Sequence, residues 1–255
     1  MSDDGGRDIR ISSLASSDEV ETRERFHQLF GRCPIPAKEL LGNLGLFVNR
    51  QTLSRMLFMH ELYQRILPVH GIVMEFGVQW GQNLALFSSF RGMYEPYNHN
   101  RKIVGFDTFE GFPSVSKEDG ADAINRAGSY AVTPGYEKYL DAVLAYHESE
   151  SPLGHVRKYE LIKGDATETL DLYLKRHPET IVALAYFDFD LYEPTKKCLQ
   201  LISERLTRGS VVGFDELNWP AFPGETLALK EVFGLGRYAI RRSTNNPSPS
   251  FIVIE

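Results

Sequence analysis

An apolar run that ends in two aspartates constrains the fold of this 255-residue chain more than any other stretch. Residues 182–187 read V-A-L-A-Y-F, and Asp188 and Asp190 follow directly. A strand without polar alternation is typical of a parallel sheet that is covered on both faces. Such sheets bind ligands at the carboxyl ends of their strands. If the strand continues, the two aspartates point to one face and are predicted to share one site; if it ends between them, they are predicted to diverge. A third alternative is that one of them caps the next helix.

Alternating strands and helices along the rest of the chain extend this prediction. The predicted strands are 72–76, 102–106, 159–162, 182–187, 210–214, 238–242 and 251–254. With helices between them, they predict an α/β fold with a doubly wound, mostly parallel seven-stranded sheet. We expect a flexible tail over 1–20, a helical lid segment over 21–70 and the main domain over 71–255. The loop 108–136 is too long for an ordinary connection and is predicted to be part of the lid.

The glycine turn after the first predicted strand discriminates between cofactors. Residues 75–81 read E-F-G-V-Q-W-G, and Gln79 stands where a dinucleotide fold places its second glycine beside the pyrophosphate. The pattern therefore gives little support to NAD. Glu75, just before the first glycine, suits a positively charged ligand such as the amino acid end of S-adenosylmethionine. Asp107, at the end of the second strand, is placed to bind ribose hydroxyls.

Further acids stand just past predicted strands, at the expected ligand-binding edge. Asp188, Asp215 and Glu216 form a set of oxygen donors suited to Mg²⁺, Ca²⁺ or Mn²⁺. The alternative is a set of hydrogen-bonded acids at loop starts. For Asp165 and Asp107 the structural alternatives are a helix cap and a turn former.

Composition and charge exclude several other classes of protein. The formal net charge of -6 argues against a nucleic-acid-binding surface. No apolar stretch is long enough to cross a membrane, and the polar start of the chain lacks the apolar segment of a signal peptide. We therefore expect a cytoplasmic protein, in which Cys33 and Cys198 are free thiols.

Five motifs together resemble those of the macrocin O-methyltransferase family. They are E-F-G-V-Q-W-G, F-D-T-F-E-G-F-P, K-G-D-A-T-E-T-L, F-D-F-D-L-Y-E-P-T and V-G-F-D-E-L, and they occur in the family order. The resemblance covers residues 43–255. Members of this family are metal-dependent class I methyltransferases, with a Rossmann-like fold, that act on sugars of antibiotics. The resemblance thus implies S-adenosylmethionine and Mg²⁺ as cofactors and a nucleotide sugar or glycoside as substrate, and we also expect a homo-oligomer.

The resemblance also implies a role for each motif residue. Those implied to bind S-adenosylmethionine are Glu75, Gly77, Asp107, Thr108, Asp165, Ala166 and Asp188. Asp188, Asp215 and Glu216 are implied to bind Mg²⁺, and Asp190 is implied to be the general base that deprotonates a sugar hydroxyl. Two residues depart from the family pattern: Phe189 replaces a glycine, and Glu216, whose side chain is longer, replaces an aspartate among the implied Mg²⁺ ligands.

Two other functions remain open at this point. An NAD-dependent oxidoreductase or epimerase of nucleotide sugars would share the sheet and Asp107, but would need a turn that accommodates phosphate, which Gln79 and Trp80 do not provide. A non-catalytic nucleotide-sugar binding protein would share the whole site. Asp190 discriminates between such a binding protein and a methyltransferase, because a protein that only binds its ligand needs no base beside the ion.

Overall fold

The computed structural model describes residues 15–255 of the chain. Most of the predicted tail over 1–20 therefore lies outside the described residues. The helix α1 begins at Ser17, so the chain is helical over 17–20, where the sequence predicts tail. A capping box starts this helix: the Ser16 hydroxyl accepts from the Glu19 N–H at 3.3 Å, and the Glu19 carboxylate accepts from the Ser16 N–H at 2.8 Å. The serine followed three residues later by glutamate is the cue that marks this start in the sequence.

The described residues form one seven-stranded sheet, as the sequence predicts. Its strands are β1 Ile72–Phe76, β2 Ile103–Asp107, β3 Tyr159–Lys163, β4 Val182–Phe187, β5 Leu206–Phe214, β6 Arg241–Arg242 and β7 Ser250–Val253. Their order is β3-β2-β1-β4-β5-β7-β6. Strands β1 to β5 are parallel, whereas β7 is antiparallel to both β5 and β6. The strand order reverses between β1 and β4, and such a switch point opens a crevice at the carboxyl edge.

Helices cover both faces of this sheet. They are α1 Ser17–Gly31, α2 Ala37–Leu40, α3 Arg50–Ile66, α4 Gln82–Tyr94, α5 Tyr136–Glu150, α6 Ala166–Arg176, α7 Tyr192–Ile202 and α8 Gly224–Val232. Buried side chains such as Leu62 of α3 and Phe87 of α4 belong to the core on one face. Leu170 of α6 and Leu199 of α7 belong to the core on the other. The doubly wound arrangement predicted from the alternation of elements is thereby confirmed.

A row of stacked phenylalanine rings closes the core beneath the carboxyl edge. One ring comes from each of four adjacent strands: Phe106, Phe76, Phe187 and Phe214. Neighbouring ring centroids in the row are 5.2, 4.7 and 5.6 Å apart. Asp107, Asp188 and Asp215 directly follow three of these rings in the chain. The rigid apolar row therefore fixes the height at which the aspartates leave the sheet.

The segment predicted as a helical lid has two different parts. Helix α3 is part of the core, since Phe58, Met59 and Leu62 are fully buried. By contrast, α1, α2 and the 3₁₀ turn Leu41–Leu46 bury no residue. None of the helices within residues 15–255 is long and apolar enough to cross a membrane. Cys33 and Cys198 are both free, as expected.

Candidate active site

The carboxyl edge of the sheet carries a cavity of about 610 Å³. Its wall includes residues that follow β1, β2, β4 and β5, residues of α3, and the loop after β2. Most site residues predicted from the sequence lie in this wall: Gly77, Asp107, Thr108, Asp165, Ala166, Asp188, Asp190, Asp215 and Glu216. A concave site with convergent polar groups at the switch point of an α/β sheet is typical of a small-molecule site.

Glu75 is buried at the end of β1 with half of its carboxylate unpaired. It is 1% exposed, and its Oε1 accepts a hydrogen bond from Asn83 Nδ2 at 2.7 Å. Its Oε2 is buried and has no hydrogen-bond partner. Burial raises the pKa of Glu75 well above its ordinary value, against the opposing effect of the Asn83 hydrogen bond. An unpaired buried carboxylate oxygen fits a cationic ligand, and the ammonium group of S-adenosylmethionine is such a ligand.

The glycine turn between β1 and α4 brings the backbone against β4. Gly77 has φ +88°, and a Cβ at this position would overlap the carbonyl oxygen of Asp188. The next residue but one, Gln79, donates its N–H to Asp107 Oδ2 at 2.8 Å. Asp107 Oδ1 accepts from the Phe109 N–H. The turn-former interpretation of Asp107 is therefore confirmed, although each carboxylate oxygen keeps a lone pair that can accept from a ribose hydroxyl.

Asp165 caps helix α6, which confirms the structural alternative for this residue. Its Oδ1 accepts from both the N–H and the hydroxyl of Thr167, at 2.8 Å in each case. Asp165 and Ala166 also line the cavity. Their placement beside the adenine stays a prediction.

Asp188 and Asp190 diverge because the strand ends before both of them. β4 ends at Phe187, and Asp190 adopts the left-handed conformation with φ +62°. Asp190 is buried, at 7% exposure, and its side chain hydrogen-bonds Glu216. Neither aspartate caps α7, whose N-cap is Leu191 without a side-chain hydrogen bond. The helix-cap interpretation of this pair is therefore wrong.

The cap of α7 comes instead from the long loop after β2. Asp119 Oδ1 accepts the Tyr192 N–H at 2.5 Å, and its Oδ2 accepts the Ser116 N–H at 2.6 Å. In the same loop, the ring of Phe112 packs at a tilted angle against Tyr130, which lines the cavity. Burial raises the pKa of Tyr130, and the Asp190 and Glu216 carboxylates raise it further. Sequence reasoning missed both Asp119 and Tyr130, since acids and tyrosines are unremarkable in a polar loop.

Arg55 of α3 is the other residue that the sequence did not reveal. Its guanidinium forms an ion pair with Asp188 through Nη2 and another with Asp215 through Nη1, the second at 3.4 Å. Burial alone would lower the pKa of Arg55, but the charges of Asp188 and Asp215 outweigh it and raise the pKa. Nothing in a single sequence distinguishes this arginine from the solvated arginines of other amphipathic helices.

The carboxyl groups around Phe189 are crowded. Burial, with the charge of Asp215, raises the pKa of Asp188 to about 7, although Arg55 opposes this shift. Burial and the charges of Asp215 and Asp188 raise the pKa of Glu216 to about 8. Burial and the charge of Glu216 raise the pKa of Asp190 well above its ordinary value. The site therefore holds neutral and ionised carboxyls side by side.

The arrangement does not fit a divalent cation as it stands. Asp188, Asp215 and Glu216 have the oxygen chemistry that Mg²⁺ prefers. However, the Arg55 guanidinium bridges Asp188 and Asp215, while Glu216 is hydrogen-bonded to Asp190. No group of three or more His, Cys, Asp or Glu side chains in the described part of the chain is arranged to hold a metal ion. The Mg²⁺ site stays a prediction.

Solved structures show what the chain is similar to. A crystal structure of CalS11, a calicheamicin methyltransferase, is 45% identical over 99% of both chains, with a TM-score of 0.92. An apo structure of CalS11, the TDP-rhamnose 3'-O-methyltransferase of calicheamicin biosynthesis, is 42% identical over 94% of this chain and 96% of its own, with a TM-score of 0.83. The O-methyltransferase NovP is 17% identical over 79% of each chain, with a TM-score of 0.58, and shares the fold. No protein-family model and no curated protein matches the sequence.

The seven-stranded sheet with its antiparallel β7, the glycine turn beside the unpaired Oε2 of Glu75, and the acid at the end of β2 define a class I, S-adenosylmethionine-dependent methyltransferase. Within this class, the chain belongs to the family of sugar O-methyltransferases that includes CalS11. The family resemblance of the five sequence motifs is thereby confirmed.

Proposed function

We propose that the chain methylates a deoxysugar hydroxyl in antibiotic biosynthesis, and that its substrate is a nucleotide-linked rhamnose that accepts the methyl group at its 3-hydroxyl. The identity of 42% to a TDP-rhamnose 3'-O-methyltransferase supports this substrate. The observation that carries the reaction is Asp190, a buried carboxyl in the same cavity wall as the glycine turn. A base at this place can serve an acceptor bound next to the cofactor.

The cofactor half of the cavity is formed by the ends of β1, β2 and β3. S-adenosylmethionine, when bound, supplies an electrophilic methyl group. Glu75 would bind its ammonium group through Oε2, and Asp107 would accept from its ribose hydroxyls. Gly77 brings the backbone close, while Thr108, Asp165 and Ala166 form the neighbouring wall. These contacts would orient the methyl group toward the acids after β4.

The acceptor half is formed by Asp190, Glu216 and Tyr130. A sugar hydroxyl is a poor nucleophile near neutral pH, so it needs a base. Asp190 would accept the proton of the sugar hydroxyl while the sugar oxygen takes the methyl group that S-adenosylmethionine would supply, with S-adenosylhomocysteine as the other product. Burial and the Glu216 charge raise the pKa of Asp190, which makes its carboxylate a stronger base. Tyr130, above these carboxyls, forms the wall that would exclude water.

Several finer predictions from the sequence belong to this proposal. A homo-oligomer is supported by exposed apolar side chains in the first helices, among them Leu29, Phe30, Leu41 and Leu46. The lid is supported by the loop residues that line the cavity, although Asp119 fixes the middle of that loop to α7. A cytoplasmic location and the division at residue 71 remain predictions. Assistance by Mg²⁺ is a prediction of the family resemblance that the Arg55 ion pairs with Asp188 and Asp215 do not favour.

The experiment that tests the function is methyl transfer to TDP-rhamnose, followed by mass spectrometry and NMR of the product. We expect one added methyl group on the 3-oxygen. Asp190→Asn suits the test because asparagine tolerates the left-handed backbone at this position. Turnover should fall by about 10²- to 10⁴-fold, as is typical for a lost general base. The Kd for S-adenosylhomocysteine should stay within about twofold, since Asp190 lies on the acceptor side.

Other outcomes would change the assignment. Near-normal turnover of Asp190→Asn would remove Asp190 as the base. No transfer to any deoxysugar nucleotide, together with tight binding of TDP-rhamnose, would favour the non-catalytic binding protein. Thermal stabilisation by NAD and not by S-adenosylhomocysteine would favour the oxidoreductase, which the glycine turn does not support.

A further inference from the structure

One arginine balances the charge of the acidic cluster that Asp188, Asp215 and Glu216 form. Asp188 and Asp215 follow adjacent strands, and among the residues that the structure describes Arg55 alone forms ion pairs with them. Glu225 adds another fully buried carboxyl, which accepts the N–H groups of Phe189 and Glu216 at 3.3 Å each. Buried carboxylates need a compensating cation, because desolvation otherwise forces them to take up protons.

Arg55 is held in this position by the core and not by a flexible loop. Three residues farther along α3, Phe58 is fully buried against Tyr186 of β4 and Phe251 of β7. The Tyr186 hydroxyl in turn donates to Asp215 Oδ1 at 2.5 Å, on the same carboxylate that Arg55 contacts. The helix therefore delivers the guanidinium to a fixed place between the two aspartates.

Arg55 also connects the acidic cluster to the cofactor half of the cavity. Its Nε lies 3.4 Å from Asn83 Oδ1, and Asn83 donates to Glu75 at 2.7 Å. One guanidinium thus contacts Asp188, Asp215 and the partner of Glu75. A divalent cation between the two aspartates would need the space that this group fills.

We propose that the Arg55 guanidinium is the resident cation of this site, in the place where the family resemblance implies Mg²⁺, and that methyl transfer by this chain does not require a divalent cation. Only the measurement of methyl transfer rests on the proposed function; the measurement of cation binding does not. Arg55 is a positioning residue: it neutralises Asp188 and Asp215 and fixes their carboxylates, while Asp190 remains the base. The two departures from the family pattern, Phe189 and Glu216, flank the same cluster and agree with a site no longer shaped around an ion.

The binding arm of the test measures Mn²⁺ binding by electron paramagnetic resonance on protein stripped of metal. Wild-type protein should bind Mn²⁺ weakly, and Arg55→Gln should bind it about tenfold or more tightly, because two carboxylates lose their counter-charge. Adding Asp188→Asn to Arg55→Gln should abolish the gain. Arg55→Lys keeps a positive charge and should bind Mn²⁺ as weakly as wild type. The matched control is Arg65→Gln on the same helix, whose side chain pairs with Glu61 outside the cavity and should leave Mn²⁺ binding unchanged.

The activity arm measures methyl transfer with EDTA and with added Mg²⁺. Wild-type turnover should change by less than about twofold between the two conditions. Arg55→Gln should lose turnover and regain part of it with Mg²⁺ or Mn²⁺, a rescue that a merely structural role would not produce. Melting temperatures would show which variants fold. If Arg55→Gln does not fold, the comparison of wild-type turnover in EDTA and in Mg²⁺ carries the test.

Two results would overturn the inference: wild-type turnover that EDTA abolishes and Mg²⁺ restores, or tight Mn²⁺ binding by wild type that Arg55→Gln does not strengthen. If wild type methylates no deoxysugar nucleotide under either condition, the proposed function fails, and the Mn²⁺ comparison still decides the role of Arg55.

Discussion

Replacing Glu75 by glutamine should separate cofactor binding from fold stability. In the wild type, Asn83 Nδ2 donates to Glu75 Oε1, and Oε2 has no partner. In Glu75→Gln the amide oxygen has to accept the Asn83 hydrogen bond, which leaves the amide NH₂ in the place of Oε2. An NH₂ group cannot accept a hydrogen bond from an ammonium group. The substitution therefore removes a charge-assisted hydrogen bond at almost constant shape.

The expected magnitude follows from the type of bond that is lost. A hydrogen bond to a charged group contributes about 1.5–3 kcal/mol. At about 1.4 kcal/mol per tenfold change, the Kd for S-adenosylhomocysteine should rise about 10- to 150-fold. Isothermal titration calorimetry measures this change directly, and the ligand-induced rise in melting temperature should shrink in parallel.

At neutral pH and without ligand, Glu75→Gln should make the protein more stable and not less. Because burial raises the pKa of Glu75 above 4.5, the folded chain binds a proton that the unfolded chain releases. This contribution to stability is fully present below the unfolded pKa and is lost as the pH rises through the raised folded pKa. Glutamine does not titrate, so Glu75→Gln should be as stable as wild type at low pH and more stable at neutral pH.

Glu148 provides the matched control, since it is equally buried in the opposite environment. Its carboxylate contacts Arg91 Nη2 at 2.9 Å and Lys158 Nζ at 2.5 Å. Glu148→Gln should therefore cost about 3–5 kcal/mol of stability, because two buried cations lose their counter-charge, and should leave the ligand Kd unchanged. An unchanged Kd in Glu75→Gln would refute the assignment of Oε2 to the ammonium group. A drop in its melting temperature at neutral pH would refute the raised pKa of Glu75.

Two further predictions concern the backbone around the site. Gly77→Ala should lower the melting temperature by more than Gly128→Ala. Both glycines have positive φ, but only Gly77 lies against a backbone carbonyl. Equal effects would mean that the close approach to β4 is not required. Asp119→Ala should cost about 1 kcal/mol through the lost cap of α7 and should speed hydrogen exchange over the loop 108–135. Asp119→Asn keeps one of the two acceptor oxygens and should have a smaller effect on both. Equal exchange in all three proteins would show that Asp119 does not anchor the loop.

The sheet and its ligand-binding edge could be predicted from sequence because both depend on local patterns. The apolar run 182–187 is fully buried, and β1 has the predicted bounds 72–76. The predicted start of the fifth strand is wrong, since β5 begins at Leu206 and not at residue 210. Its first residues are exposed, so they lack the apolar pattern on which the prediction depended.

Contacts between distant segments could not be predicted. Asp119 reaches Tyr192 across 73 residues, and Arg55 reaches Asp188 across 133 residues. No periodicity links such pairs, because each depends on how whole elements pack. The sequence could therefore identify the acids of the site, but not the cation that faces them or the loop that is fixed beside them.

The different environments of Asp188 and Asp190 explain how two aspartates separated by one residue can have separate roles. In a continuing strand both would point to one face, with the same neighbours and similar pKa values. The left-handed backbone at Asp190 breaks this equivalence: Asp188 meets Arg55, while Asp190 turns into a buried pocket beside Glu216. A carboxyl beside a guanidinium tends to stay ionised, and one beside another carboxyl tends to hold a proton. The pair can therefore supply a carboxyl paired with a guanidinium at Asp188 and an exchangeable proton site at Asp190, and methyl transfer from a sulfonium to a hydroxyl requires the second of these.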